Sequence, residues 1–318
     1  MRVLITGAAG CLGQVLVPML LDDPRITELV VHDWRAIVGD HPKLKTLRGD
    51  IRDPALAHAI KHTHAVVHMA FVVIESDLGR ERGNRVLARA INIDGTRAVV
   101  DALAPGARLI QLSSASVYGT SHEAITESAG LKPLPGFRYA EDKVLAEEVV
   151  IAAEREGLSA VRLRPHIILG PRAQPFLRTV LRLPFYPRLP PPAPPLQVVH
   201  EQDVATAIRA ALFSPVTGAI NLACEDSLSF EAMQRSLHRF VLGVNPGLAQ
   251  AAARAAFHLF GIGPDPAWSA GLDRPLILDS GRARQALSWR PRFPRVADVL
   301  AATFGQPTPG DTSAMTRP

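Results

Sequence analysis

Three groups of residues in this 318-residue chain have types and spacings that do chemistry. They are Gly7-Ala-Ala-Gly10-Cys-Leu-Gly13 directly after an apolar run, the pair Ser113-Ser114, and Tyr139 four residues before Lys143. In the first group, one glycine permits a tight turn, the next lets backbone approach a pyrophosphate, and the third allows close helix-to-strand packing, so that an anion meets a helix N-terminus. The spacing is G-x-x-G-x-x-G rather than G-x-G-x-x-G, and taken alone it also describes a plain strand-helix connection. Tyr139 and Lys143 fall within residues 138–155, which have helical periodicity, and so lie one turn apart on one face. An unperturbed phenol titrates near ~10 and is a poor base at neutral pH. A neighbouring ammonium, aided by the positive ring of a nicotinamide, lowers it by roughly two to three units, worth about 3–4 kcal/mol. Tyr139 can then take a proton from a hydroxyl while hydride leaves the same carbon, or return it to a carbonyl. Ser114 orients and polarises that oxygen. With three Tyr and five Lys in the chain, this spacing arises by chance in roughly 5% of shuffled sequences, so its place after a Ser-ended strand is what gives it weight.

These residues need elements that hold them at one edge. Residues 2–6 (RVLIT) read as a short buried parallel strand and residues 11–21 (CLGQVLVPMLL) as an apolar helix. A second strand, residues 28–32, ends on Asp33, where a carboxylate accepts both ribose hydroxyls of an adenosine and repels a 2′-phosphate. That favours NAD over NADP, with Arg35 two residues later as a partial offset. Residues 44–47 and the turn 49–53 (GDIRD) place Asp50 and Ile51 beside adenine, and residues 65–69 form a fourth strand with Ala70 and Phe71 at its C-terminal end. Residues 108–112 (RLIQL) bring Ser113 and Ser114 to that edge, where open parallel sheets bind ligands. Along 138–155, Glu147 and Glu148 are expected to point outward and Val144, Leu145, Val149 and Ile151 to pack.

TGAAGCLG, Asp33, GDIRD, INIDGT at 91–96, SSASVYG at 113–119, Tyr139/Lys143 and RLRPHIILGP at 162–171 together resemble the extended short-chain dehydrogenase/reductases, which include nucleotide-sugar epimerases and dehydratases. The resemblance covers about residues 1–225 and is loose beyond. It implies an α/β fold, a Rossmann-type doubly wound parallel sheet of seven strands with a smaller, mostly helical C-terminal capping domain. It also implies a Ser114, Tyr139, Lys143 catalytic set. The cofactor positions are Gly7, Gly10, Cys11, Leu12, Gly13, Asp33, Asp50, Ile51, Ala70, Asn92, Tyr139, Lys143 and Pro165, with Asn92 matching the family's N-x-x-G-T segment and Lys143 free to hold the nicotinamide ribose. The family's dehydratases carry Asp-Glu directly after the catalytic Ser/Thr, where this chain has Ala115-Ser116, which cannot shuttle ring protons. An Asn expected after the strand is replaced by Pro165-His166, and an Arg that holds a nucleotide diphosphate by Leu196, with Arg274 or Arg172 as substitutes. Phe71, Ser116, His166, Leu196 and Arg274 are the substrate candidates. His166, a lone His after a strand, reads more often as a satisfied packing residue, and His200 as strand-end packing.

The remaining composition narrows the class. At 47% apolar the chain can bury a large core, two cysteines (Cys11 and Cys224) argue against a disulfide framework, and no spacing suggests a metal site. The sequence begins within its first strand and has no membrane-spanning apolar run, which points to a cytoplasmic protein without membrane insertion. The net charge of +5 is spread out, without basic blocks interleaved with aromatics, so nucleic acid is not expected as a partner. The expected organisation is an NAD-binding domain at 1–165 to which 196–226 returns, a capping region at 166–195 and 227–304, and a flexible tail at 305–318. The Pro-rich stretch 184–195 reads as a stiff connector or a rim over the cleft. The helix expected at 248–260 is strongly apolar, and with the Pro-rich rim and Leu196 it implies a hydrophobic cleft. By family resemblance a homodimer would pair helices 84–104 and 138–155. Three functions remain open. The first is an NAD-dependent dehydrogenase/reductase for a secondary alcohol or ketone of moderately hydrophobic character, such as a sterol-like compound, a lactone or a lipid precursor. The others are a nucleotide-sugar epimerase with tightly bound NAD and a non-catalytic NAD-binding regulator.

Overall fold

The computed structural model describes residues 1–73, 85–183, 185–187, 193–237, 242–255 and 274–305. Its centre is a seven-stranded sheet of short segments, largely apolar except for the edge strand β3: β1 (Arg2–Thr6), β2 (Glu28–Asp33), β3 (Leu44–Arg48), β4 (Ala65–His68), β5 (Arg108–Leu112), β6 (Ser159–Pro165) and β7 (Gly218–Leu222). The order is β7-β6-β5-β4-β1-β2-β3 and every pair is parallel. Parallel strands need crossover helices on both faces, and their interior strands are therefore apolar on both sides. One face packs Ile5, Val31 and Val67 against Leu16 and Leu20 of α1 (Gly13–Leu21) and Val204 and Ile208 of α5 (Glu201–Leu212). The other packs Leu4, Val30, Val66 and Leu109 against Leu56 and Ile60 of α2 (Pro54–Lys61), Val99 of α3 (Gly95–Asp101) and Val150 of α4 (Arg138–Arg155). Strand order reverses between β1 and β4, and the crevice beyond their C-terminal ends is where such sheets take ligands.

A second, smaller core contains Leu169, Leu181, Leu196, Val198, Phe230, Met233, Val299 and Leu300. Short strand pairs frame it, with Pro195–Leu196 antiparallel to Leu228–Ser229 and Val198–His200 parallel to Ile167–Leu169. Phe185–Pro187 pairs with Leu242–Val244, so part of the Pro-rich stretch forms a two-stranded edge, which proline tolerates.

Three local expectations change. The first helix starts at Gly13, with Leu12 at its N-cap and Cys11 in the preceding turn. The helix expected over 84–104 is broken into Arg85–Arg89, a π-helical turn Ala90–Asp94 and α3. Glu147, expected to point outward, is completely buried, whereas Glu148 is exposed. Most of the predicted apolar helix is seen as Pro246–Ala255, while its end at 256–260 and, Gly305 apart, the expected tail at 305–318 lie outside the described residues.

Candidate active site

The glycine loop is held where only glycine fits. Gly7 has φ +73°, and a Cβ there would stand 2.6 Å from the Ala70 nitrogen at the end of β4. A Cβ on Gly13 would stand 2.1 Å from the Ala8 carbonyl oxygen. The loop therefore presses against the crevice and delivers its chain into the start of α1, where unpaired N–H groups attract an anion. Asp33 closes it from β2: its carboxylate accepts from the Ala9 nitrogen at 3.0 Å, the Arg35 nitrogen at 3.0 Å and Arg35 Nε at 3.2 Å. A carboxylate has about four acceptor sites, so about one is left for a ribose hydroxyl, and a second becomes available if the Arg35 side chain gives way. Asp50 is paired with Arg52 at 2.7 Å, whose hydrogen bonds lower its pKa. The Ile51 side chain turns into the core, where a Cβ on Gly95 would lie 2.5 Å from its Cγ2.

Behind the loop lies a buried polar relay that sequence reasoning missed. The Thr96 hydroxyl donates to the Asn92 carbonyl at 2.6 Å, so it accepts from His68 Nε2–H at 3.0 Å. His68 Nδ1 is then the acceptor for the Thr6 hydroxyl at 2.8 Å, and Thr6 in turn accepts from the Ala70 nitrogen at 3.3 Å. Burial, with repulsion from Lys143, pushes the His68 pKa down to about 3 and keeps the ring neutral. Asn92 completes the frame: its side chain accepts from the Val72 nitrogen at 2.7 Å and donates to the Val72 carbonyl at 3.3 Å and to Asp142 at 3.3 Å. The segment carrying Ala70 and Phe71 is thus fixed from β1, β4, the π-turn and α4. The signal in the sequence was a histidine inside an otherwise apolar strand, AVVH.

Ser114, Tyr139 and Lys143 meet in front of this frame. Ser114 leaves β5 in extended conformation, and its Oγ accepts from the Ser116 nitrogen at 3.2 Å and the Ser116 hydroxyl at 3.0 Å. The Tyr139 hydroxyl is hydrogen-bonded to Ser114. Lys143 is buried, donates from Nζ to the Leu112 carbonyl at 2.7 Å, and lies 3.6 Å over the Phe71 ring and 5.8 Å from the Tyr139 ring centre. Phe71 meets Tyr139 edge to face at 5.7 Å, and Phe137 lies 5.7 Å from Tyr139 on another side. Burial pushes the phenol up to about 12 against the opposing Ser114 bond, and pushes the ammonium down to about 7 against the opposing charge of Glu147. The expected lowering of the phenol is therefore not produced by these side chains alone, because desolvation outweighs their single hydrogen bond. As it stands, Tyr139 is a protonated acid.

Phe71 and Ser116 join this cluster. His166 is occupied elsewhere: its Nδ1 accepts from the Ile167 nitrogen at 2.9 Å, its Nε2–H donates to the Leu276 carbonyl at 3.0 Å, and burial pushes it down to about 4. Leu196 packs in the smaller core and bridges Leu276, and Arg274 is exposed just before that residue. Pro165 is buried at the end of β6, paired with Leu222. His200 caps α5, accepting from the Gln202 nitrogen at 3.2 Å, and stacks on Phe293 at 4.0 Å. Among the described residues no group of three His, Cys, Asp or Glu side chains could hold a metal ion.

The chain's own residues fit a nicotinamide dinucleotide. A cradle that a Cβ would fill lies at one end, an acceptor carboxylate at the tip of β2, and a buried ammonium with a Ser-Tyr pair at the other end. This fold and site define an NAD(P)-dependent oxidoreductase of the Rossmann class. The chain belongs to the NAD dependent epimerase/dehydratase family, whose profile matches residues 3–183. It is similar to the ceramide reductase of Caulobacter vibrioides, at 29% identity over 331 residues covering 95% of this chain and 90% of that protein. It is also similar to the 2-alkyl-3-oxoalkanoate reductase of Stenotrophomonas maltophilia, at 33% over 186 residues and 55% and 53% of the two chains. Among solved structures, DesIV, a dTDP-glucose 4,6-dehydratase from Streptomyces venezuelae with NAD and TYD bound, aligns with a TM-score of 0.72 at 26% identity over 95% of each chain. Among the described residues no helix is long and apolar enough to cross a membrane.

Proposed function

We propose that this protein is a dehydrogenase/reductase that moves hydride between NAD and a secondary alcohol or ketone of moderately hydrophobic character, with Tyr139 as acid and base. The observation that carries the reading is the Tyr139–Ser114 hydrogen bond with Lys143 one turn behind it. A substrate oxygen that replaces the mutual Ser114–Tyr139 bond would receive both hydroxyl protons as donors. In the reducing direction the buried phenol, pushed up to about 12, gives its proton to the oxygen as negative charge develops there. In the oxidising direction the same phenolic oxygen takes the proton back, helped by the Lys143 charge. Bound NAD supplies the hydride acceptor or donor and a positive ring. Its phosphates are assigned to the loop Gly7, Gly10, Cys11, Leu12 and Gly13, its adenosine to Asp33 and Asp50, and its nicotinamide end to Lys143, with Ala70, Asn92 and Pro165 lining that end. Asp33 favours NAD over NADP.

The apolar substrate is supported by Phe71 and Phe137 flanking Tyr139, by Ala115 and Ser116 where carboxylates would serve dehydration, and by the names of the ceramide and 2-alkyl-3-oxoalkanoate reductases. A second reading, a nucleotide-sugar epimerase, is favoured only by the shared fold of nucleotide-sugar enzymes such as DesIV. The proposal includes residues 166–195 and 227–304 as the substrate cap and a homodimer through the helices at 85–101 and 138–155. The test is to purify the protein, identify bound nucleotide, and follow NADH absorbance with hydrophobic ketones and alcohols and with UDP-sugars. Net NADH turnover with the apolar panel supports the dehydrogenase. Retained NAD with sugar inversion and no net NADH overturns it.

A further inference from the structure

Tyr139, Lys143 and Glu147 form a stripe on α4 at successive four-residue intervals. Glu147, the third member, is fully buried and lies one turn beyond the ammonium. Arg164 of β6 grips it with two bonds, Nε to Oε1 at 2.9 Å and Nη2 to Oε2 at 2.6 Å, and Arg162 adds Nη1 to Oε2 at 3.0 Å while bonding Glu154 with its other nitrogens. Arg164 Nη1 also donates to the Tyr118 hydroxyl at 2.6 Å, which donates to Asn221 at 2.8 Å. Asn221 in turn donates to the carbonyls of Ile125 at 3.0 Å and Asp279 at 3.3 Å. A carboxylate this deep is expensive unless fully paired, and removing one partner from such a pair strands a charge. A buried charged cluster directly behind the ammonium needs a reason beyond packing.

We propose that Glu147 is a positioning residue for the reaction: clamped by Arg164, it keeps the Lys143 ammonium charged and seated on the Leu112 carbonyl beside Tyr139. This rests on the role given to Tyr139 and Lys143 under Proposed function. Three features around Nζ favour its charge, namely the Leu112 carbonyl, the face of Phe71 at 3.6 Å and the carboxylate of Glu147. The other titratable groups nearby do not pair with the ammonium. Tyr139 is protonated, His68 on β4 is neutral, and Asp142 turns to Asn92. Burial works to raise the Glu147 pKa, but the bonds and charge of Arg164, with Arg162 behind, outweigh it and keep the carboxylate ionised. Arg164 and Arg162, bonded to the carboxylate, in part offset the field of Glu147 at Lys143, where the net effect of Glu147 is still to favour the ammonium.

The measurement is the pH dependence of kcat at saturating cofactor, together with an NMR titration of the protein carrying 13Cε-labelled lysine, practicable because the chain has five lysines. Two unit charges ~6 Å apart at an effective dielectric of ~20 shift a pKa by ~2 units, and this is the contribution that removing Glu147 alone takes away. In Glu147→Gln, where the arginines remain, the Lys143 resonance and the alkaline limb of kcat move down together by about two pH units. In Glu147→Asp, which keeps the charge, both stay within ~0.3 unit of wild type even where melting temperature falls. If Glu147→Gln does not fold with Arg164 unpaired, the E147M/R164M double variant replaces the pair with apolar groups, and a smaller downward shift of about one unit is required of it, because an opposing cation leaves with the carboxylate. An unmoved titration in the charge-removing variant, or an equal shift in Glu147→Asp, overturns the role of Glu147. An active Tyr139→Phe would instead overturn the site itself, so the two failures are distinguishable.

Discussion

His68→Gln tests the buried relay behind the cofactor crevice. Glutamine offers one acceptor and one donor, and so can replace Nδ1 toward Thr6 and Nε2–H toward Thr96, the two bonds His68 makes at 2.8 and 3.0 Å. Imperfect reach and the lost ring volume cost about 1–2 kcal/mol at pH 7.5, where both folded and unfolded histidine are neutral. Below that pH the comparison changes. His68 titrates near 3 in the folded protein against 6.5 as an ordinary side chain, so the unfolded chain takes up a proton that the folded one refuses. Its contribution to stability is therefore complete above pH 6.5 and is lost as pH falls toward 3. Each pH unit in that window removes about 1.4 kcal/mol, or about 2 kcal/mol between pH 6.5 and 5. Glutamine has no such linkage. Urea unfolding at pH 7.5 and pH 5 is expected to show the variant weaker at 7.5 and equal to or stronger than wild type at 5. All other titrating groups are common to both proteins and cancel. A stability gap that does not change with pH would refute the argument, because it would mean that the folded protein lets His68 take a proton.

Two further substitutions probe the two ends of the crevice. Asp33→Ala removes both the ribose acceptor and the carboxylate that ties Ala9 and Arg35 together. NAD affinity should fall by about tenfold or more, roughly 1.4 kcal/mol, with NADP affected less; titration calorimetry giving an unchanged NAD/NADP ratio would refute its ribose role. Ser114→Ala should lower kcat by about 10²–10³-fold with stability changed by no more than ~1 kcal/mol, since its remaining bonds are to the adjacent Ser116; steady-state kinetics and a thermal melt check both numbers.

Much of this could be read from residue order. Short runs of four or five residues marked the first five strands of the sheet, the family resemblance implied the total of seven, the glycines marked the first turn, and four-residue spacing put Tyr139 and Lys143 on one face. What stayed hidden was polar and long-range. Helix α4 buries Asp142, Lys143 and Glu147 alongside Ala140, Val144 and Val150, so its apolar pattern does not single out the inner face. Glu147 looks like a solvated charge until Arg162 and Arg164, on a strand fifteen and more residues later, are seen to close around it. The π-turn at Ala90–Asp94 inserts into a helix without altering composition, yet it places Asn92 against Val72 and Asp142. His166 and Leu196 were legible as departures from the family pattern, but their partner Leu276 is some eighty to a hundred and ten residues away, and so their packing was not.

The central claim is that the Tyr139 hydroxyl transfers the proton that accompanies hydride. Tyr139→Phe deletes that oxygen while keeping the ring that meets Phe71 and Phe137. In a single assay series following NADH absorbance with a turned-over hydrophobic ketone, and NAD binding by fluorescence, the account predicts turnover reduced by at least ~10³-fold with NAD affinity within about twofold of wild type. Turnover persisting near the wild-type rate would contradict it.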